Sequence, residues 1–241
     1  MTETDATPRK TIAFVAYPGL TLLDIAGPLQ TLAALPRFNL PFEVVTVAAQ
    51  KDTPMGTDTP LGITANRSFA EVPAPDVLIV PGGEEPTLAA LADKELVDYI
   101  RTAGATAQVI ASVCTGALLL GEAGLLDGRR ATTHWIYRER LPVFGATPVA
   151  ERWVEDGPVI TAAGVAAGID MALKLVERLV STEFSRLTQL FIEYDPQPPQ
   201  GPLDWDAIDI PSYDPIADGQ IRTALEGHPE LMAKLLDAKQ A

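Results

Sequence analysis

The 241-residue chain has almost no cysteine and almost no histidine, one of the first and two of the second. A single thiol cannot close an internal disulfide, so a reducing, cytoplasmic setting is expected and the fold must rest on its apolar core. One cysteine and two histidines far apart in sequence, His134 and His228, give no metal-ligand spacing, and neither a metal nor a cofactor is expected. No apolar run is long enough to cross a bilayer, and the polar segment Met1 to Lys10 has no apolar signal region, so no membrane partner is expected. Basic residues are also in deficit. Eighteen lysines and arginines stand against 32 aspartates and glutamates, a net charge of −14. Such a surface repels phosphate backbones and argues against nucleic-acid binding. The pair Arg129-Arg130 follows Leu126-Asp127-Gly128 and reads as a turn.

What remains is an ordinary globular mixture, 47% hydrophobic and 21% charged. Residues 1–10 read as a disordered N-terminus, 11–195 as one α/β domain, and 196–241 as a Pro-rich extension with a terminal helix over Ile221 to Ala238. Strand-like runs (Thr11 to Tyr17, Phe42 to Ala48, Asp76 to Val80, Gln108 to Val113) alternate with helix-like ones (Asp24 to Leu35, Thr87 to Ala103, Ala117 to Ala123, Gly168 to Leu190). Gly27-Pro28 is placed in the first turn of its helix, where the missing N–H does no harm. Lys51 to Arg67 reads as loop with short hairpin strands, and Trp153 to Asp156 with Val159 to Thr161 as a hairpin. This alternation predicts a mostly parallel sheet covered by helices on both faces. In such sheets ligands bind beyond the carboxyl ends of the strands, where strand order reverses. The Asp24 region, Pro81-Gly82-Gly83 and Cys114 all fall at such ends.

The only cysteine lies in Gln108-Val109-Ile110-Ala111-Ser112-Val113-Cys114-Thr115-Gly116-Ala117-Leu118. An apolar β-branched run stops at a thiol, and helix formers follow. This reads as strand, sharp turn and helix, a nucleophile elbow with sulfur in place of oxygen. A helix N-terminus aimed at the sulfur favours the thiolate; the competing reading is a buried structural cysteine. Asp24 reads either as an N-cap or as a desolvated carboxyl beside Cys114 with a raised pKa, able to exchange a proton with it, and spacing does not choose between them. The N–H groups of Gly82, Gly83 and Thr115 are candidates to cradle developing negative charge, although a glycine pair also serves a tight turn. His134 either reaches the site or packs on Trp135, hydrogen-bonded by Thr132 or Thr133. His228 falls in the tail helix and reads as exposed.

Five segments carry a family resemblance: Asp24-Ile25-Ala26-Gly27-Pro28, Ile79-Val80-Pro81-Gly82-Gly83, Ser112-Val113-Cys114-Thr115-Gly116, the stretch from Gly124 to Trp135 ending Thr132-Thr133-His134-Trp135, and the stretch from Ala163 to Asp170. Together they resemble the PfpI-type, glutamine amidotransferase-like superfamily, and within it the isocyanide hydratases. The likeness runs from about Thr11 to Pro199. The elbow with Thr-Thr-His-Trp is shared with the ligand-binding half of some AraC-type regulators. The resemblance implies a flavodoxin-like α/β sandwich, commonly a homodimer, acting without a cofactor on a small electrophile. It implies Cys114 as nucleophile on an isocyanide, Asp24 as the acid–base group, Thr115 as an adjacent hydroxyl and N–H, and Val165 as pocket lining. Proteases of the superfamily carry histidine directly after the cysteine, where this chain has Thr115. Glutamine amidotransferases need a late histidine before a glutamate, which Gly164 to Asp170 lacks. A cysteine-based redox sensor or ligand-binding module, and a hydratase or deglycase for another electrophile, are the alternatives.

Overall fold

Apolar runs buried on both faces form the middle of a parallel sheet. In the computed structural model, which describes residues 8–240, Val77–Val80 and Val109–Val113 are such runs, every residue buried. The expected disordered segment 1–10 lies outside the described residues up to residue 7, and β1 starts at Lys10.

In chain order the elements are β1 (Lys10–Val15), α1 (Leu22–Leu32), α2 (Ala34–Arg37), β2 (Phe42–Ala48), β3 (Pro54–Met55), β4 (Ile63–Thr64), β5 (Arg67–Ser68), β6 (Val77–Val80), α3 (Glu85–Ala90), α4 (Lys94–Thr106), β7 (Val109–Val113) and α5 (Gly116–Glu122). Then come β8 (Arg130–Ala131), a 3-10 stretch Trp135–Phe144, β9 (Thr147–Pro148), β10 (Trp153–Asp156), β11 (Val159–Ala162), α6 (Ala167–Leu179), α7 (Thr182–Phe191), α8 (Asp214–Ala224) and α9 (Pro229–Leu236). The main sheet has seven strands in the order β10-β11-β7-β6-β1-β2-β5. All its pairs are parallel except the β10–β11 hairpin. This is the flavodoxin-like α/β sandwich expected, a mostly parallel sheet with helices around it. The chain leaves β1 for β2 on one side and returns to β6 on the other, so strand order reverses at β1.

Three expected helices of the α/β domain differ. The first starts at Leu22, behind Thr21 in extended geometry, so Pro28 lies in its interior and not in its first turn. Packing overrides the local signal, because Gly27-Pro28 is where α6 docks, with Ile169 against Gly27 and Gly168 against the Pro28 ring. The expected helix from Thr87 to Ala103 is two, α3 and α4, because Asp93 caps a new start by accepting the Leu96 N–H at 3.2 Å. Gly168 to Leu190 is likewise split at Val180, and Ser181 caps α7 through the Phe184 N–H at 3.2 Å.

The tail folds back onto this unit as two helices where one was expected, α9 restarting at Pro229. Helix α8 packs on α3 and on the Trp135–Phe144 stretch. Arg140, only 1% exposed, donates to Asp218 Oδ1 at 2.6 Å, and Lys234 reaches Glu122 on α5 at 2.9 Å.

Helix α5 begins hard against the end of β6. A β-carbon on Gly116 would lie 2.2 Å from the Val80 carbonyl oxygen and 2.8 Å from that of Pro81. Gly116→Ala must push strand and helix apart, and is expected to destabilise the protein by about 3 kcal/mol in urea unfolding; a loss below about 0.5 kcal/mol would contradict this account of the elbow.

Candidate active site

The carboxyl ends of β1, β6, β7 and β11 deliver Asp24, the Gly82-Gly83-Glu84 loop, Cys114 and Val165 to one place. Cys114 sits on the elbow at φ +56°, in the left-handed region, and is fully buried. Its N–H donates to the carbonyls of Ala162 (3.1 Å) and Ala163 (3.0 Å), and its own carbonyl accepts the Thr133 hydroxyl at 2.7 Å. The N–H groups of Thr115 and Val165 point at its sulfur. Val165 holds φ +26°, a costly geometry for a β-branched residue.

Asp24 is also fully buried. It is not the N-cap of α1, since Thr21 holds that position and Asp24 lies in the first turn. Its Oδ2 accepts the Gly82 N–H at 3.0 Å, while its Oδ1 has no aligned donor among the described residues. Burial above all pushes the Asp24 carboxyl up to about 7, against the pull of the Gly82 N–H and the neighbouring Cys114 thiol. Burial, and then the Asp24 charge, push the Cys114 thiol well above its ordinary value despite the Thr115 and Val165 N–H groups. The helix N-terminus therefore does not set the thiol's resting state. Its half-charge is outweighed by desolvation and by a whole negative charge nearby, and the thiol rests protonated beside Asp24.

The expected cradle of N–H groups is differently used. Gly82 donates to Asp24, and Gly83 donates to Thr115 Oγ1 at 3.0 Å, so neither is free for a ligand in this structure. A β-carbon at Gly82 would lie 2.6 Å from the Thr115 backbone nitrogen and 2.9 Å from Asp24 Oδ2, so only glycine fits between them. Thr115 Oγ1 accepts from Gly83 and from Glu84 (3.1 Å) and donates to Thr87 Oγ1 at 2.9 Å. Tyr17 donates to the Pro81 carbonyl at 2.8 Å, so Thr87 must donate to Tyr17, 2.9 Å away. This one-way hydroxyl chain locks Thr115. The N–H groups left facing the sulfur are those of Thr115 and Val165.

His134 packs near Trp135, with ring centroids 5.7 Å apart. Neither expected threonine serves it, since the Thr133 hydroxyl goes to the Cys114 carbonyl and the Thr132 hydroxyl has no partner among the described residues. Burial lowers the His134 pKa, and its Nδ1 has no partner among the described residues. Its Cδ2 abuts Gly164, next to Val165, so it forms wall near the sulfur without a hydrogen bond to Cys114 or Asp24. His228 is exposed at the start of α9. Among the described residues no cluster of His, Cys, Asp or Glu is arranged to hold a metal. Tyr17, Thr87 and Glu84 join the site without a motif to announce them; the one signal is a polar residue just past each of two apolar strands.

Because the folded carboxyl of Asp24 titrates above its unfolded value of 3.8, folding is unhindered by it below about pH 4 and loses stability as pH rises through about 7. Asp24→Asn is therefore expected to raise stability by roughly 2–4 kcal/mol at pH 8, with the gain vanishing near pH 4. Urea unfolding at both pH values checks this, and a pH-independent difference would refute the buried carboxylate.

The DJ-1/PfpI family profile matches residues 10–178. Isonitrile hydratase of Pseudomonas putida is 42% identical over 189 residues, covering 78% of this chain and 80% of that protein. A crystal structure of a ThiJ/PfpI family protein from Pseudomonas syringae superposes with TM-score 0.77 at 36% identity, over 98% of this chain and 92% of the other, tail included. The HTH-type transcriptional regulator CdhR of Pseudomonas aeruginosa is 30% identical over 68% of this chain, which spans 48% of that regulator. With its sheet order, its cysteine elbow and these likenesses, the chain belongs to the DJ-1/PfpI family.

Proposed function

We propose that the protein hydrates isocyanides to N-substituted formamides, with Cys114 as nucleophile and Asp24 as acid and base. The observation that carries this reading is the buried Asp24 carboxyl, pushed up to about 7 by burial and within hydrogen-bonding reach of a buried thiol. Likeness to an isonitrile hydratase, isonitrile being another word for isocyanide, supports the substrate class. Asp24 takes the thiol proton as sulfur attacks the terminal carbon of R–NC, forming the S–C bond, and returns that proton to the same carbon. The product is a thioimidate, R–N=CH–S–Cys114. Water adds at the carbon and one of its protons reaches nitrogen through Asp24; as the C–S bond breaks, the proton of the new hydroxyl passes through Asp24 to the departing sulfur, and R–NH–CHO leaves with the thiol restored. The Thr115 and Val165 N–H groups stabilise sulfur when it bears charge, on attack and on departure. The Gly82 N–H keeps Asp24 aimed while it moves protons. A neutral His134 and Val165 complete the wall.

Likeness to part of a transcriptional regulator supports a second reading, a ligand-binding module without turnover. Redox sensing is disfavoured physically, because oxidants attack thiolates and this thiol is buried and protonated.

Incubation of purified protein with a simple aryl isocyanide, following formamide, tests the proposal. Cys114→Ala is expected to abolish turnover, and Asp24→Asn to lower kcat/KM about 10²-fold or more while the protein stays folded. Asp24→Glu keeps the charge and moves it, so an intermediate loss is expected. The rate should rise with pH through about 7 as Asp24 ionises to accept the thiol proton. Formamide production that survives Cys114→Ala would sink the mechanism, and no turnover by the folded protein would favour the binding module.

A further inference from the structure

Glu84 follows Gly82-Gly83 and takes φ +48° and ψ −116°, a conformation non-glycine residues avoid. The fold holds it there from both ends. Its N–H donates to Thr115 Oγ1 at 3.1 Å, one residue from the nucleophile. Its Oε2 accepts from Gln220 Nε2 at 3.2 Å, and Gln220 Oε1 in turn accepts the hydroxyl of fully buried Tyr137. Tyr137 stands beside His134, ring centroids 6.4 Å apart, on the wall of the site. Gln220 lies on α8, well beyond the residues matched by the family profile. One tail side chain thus spans from the glycine loop to the opposite wall and fixes a carboxylate between them. Among the described residues no lysine or arginine forms an ion pair with Glu84. Its charge acts on Asp24, Cys114, His134 and Tyr137, in each case less than burial does, and Asp58 adds a further negative charge near Asp24.

We propose that Glu84, fixed by Gln220, is a specificity-determining residue that turns anionic substrates away from Cys114, so that the substrates are neutral isocyanides. The inference rests on the isocyanide reading for the substrate's name, and on the geometry alone for its charge. Glu84 is solvent-exposed, so its carboxylate meets an anion arriving from solvent, raising that anion's free energy near Cys114 while leaving a neutral ligand almost untouched. Glu84 acts on the ligand directly, and Gln220 is a positioning residue acting through it.

The test compares phenyl isocyanide with its para-carboxylate, and, as a probe of Cys114 independent of turnover, iodoacetamide with iodoacetate. The unsubstituted protein is expected to prefer the neutral partner in both pairs. Glu84→Gln keeps the backbone and the size of the side chain, and is expected to reduce both preferences about tenfold. Gln220→Ala should reduce them in the same direction by less, and added salt should narrow them in the unsubstituted protein and leave them almost unchanged in Glu84→Gln. Glu84→Asp retains the charge and should retain most of the preference, which a merely structural role for the side chain would not produce. Preferences that do not move in Glu84→Gln overturn the proposal. If neither isocyanide reacts but the alkylation preference falls with Glu84→Gln, the charge filter stands and the isocyanide reading fails. Turnover with both preferences unmoved means the reverse, an isocyanide hydratase without a charge filter.

Discussion

A carboxyl and a thiol are buried side by side, with no cation among the described residues paired to either, and the surroundings are arranged around that fact. Two negative charges are strongly disfavoured there, so the pair keeps at least one proton at neutral pH, on the thiol, while the carboxyl titrates near 7. The Gly82 N–H meets one carboxylate oxygen, and among the described residues no backbone donor meets the other. The Thr115 and Val165 N–H groups meet the sulfur. Every one of these donors comes from backbone, which reorganises little when charge moves. The parallel sheet beneath supplies the rigidity, its strand ends converging where the order reverses at β1.

The tail shares in the site. Arg140 is buried against Asp218, and Gln220 on the same helix stitches Tyr137 to Glu84. A wall of the site is thus assembled from residues more than eighty positions apart, held by α8 lying on α3 and on the Trp135–Phe144 stretch.

The parts of this molecule legible in the sequence are those written in local patterns. The elbow at Cys114 shows because β-branched apolar residues stop at a thiol and small residues let the helix start close to the strand. The parallel sheet shows because its inner strands are apolar throughout. Asp24 is ambiguous in sequence for a physical reason, since the same residue type serves helix starts and proton transfer, and only the placement of Thr21 separates the roles. Pro28 misleads because its ring is used for packing on α6, a long-range contact that no local rule carries. The thiol's resting state is hidden because a helix N-terminus is visible in sequence and burial beside a carboxylate is not. Gly82 and Gly83 are legible as a close-approach loop, whereas the identity of what approaches, Asp24 and the Thr115 hydroxyl, belongs to tertiary structure. Glu84 and Gln220 meet across 136 positions and leave no trace in any motif.

Three non-glycine residues with positive φ, Glu84, Cys114 and Val165, lie in the loops that build the site. Each holds about 1–3 kcal/mol of backbone strain. They sit on loops above a sheet whose central strands are fully paired and buried. Warming should therefore not melt this molecule evenly. These strained loops relax first, letting water in to the thiol while the strands below stay hydrogen-bonded, so the chemistry of the sulfur is the part of the protein with the lowest thermal ceiling.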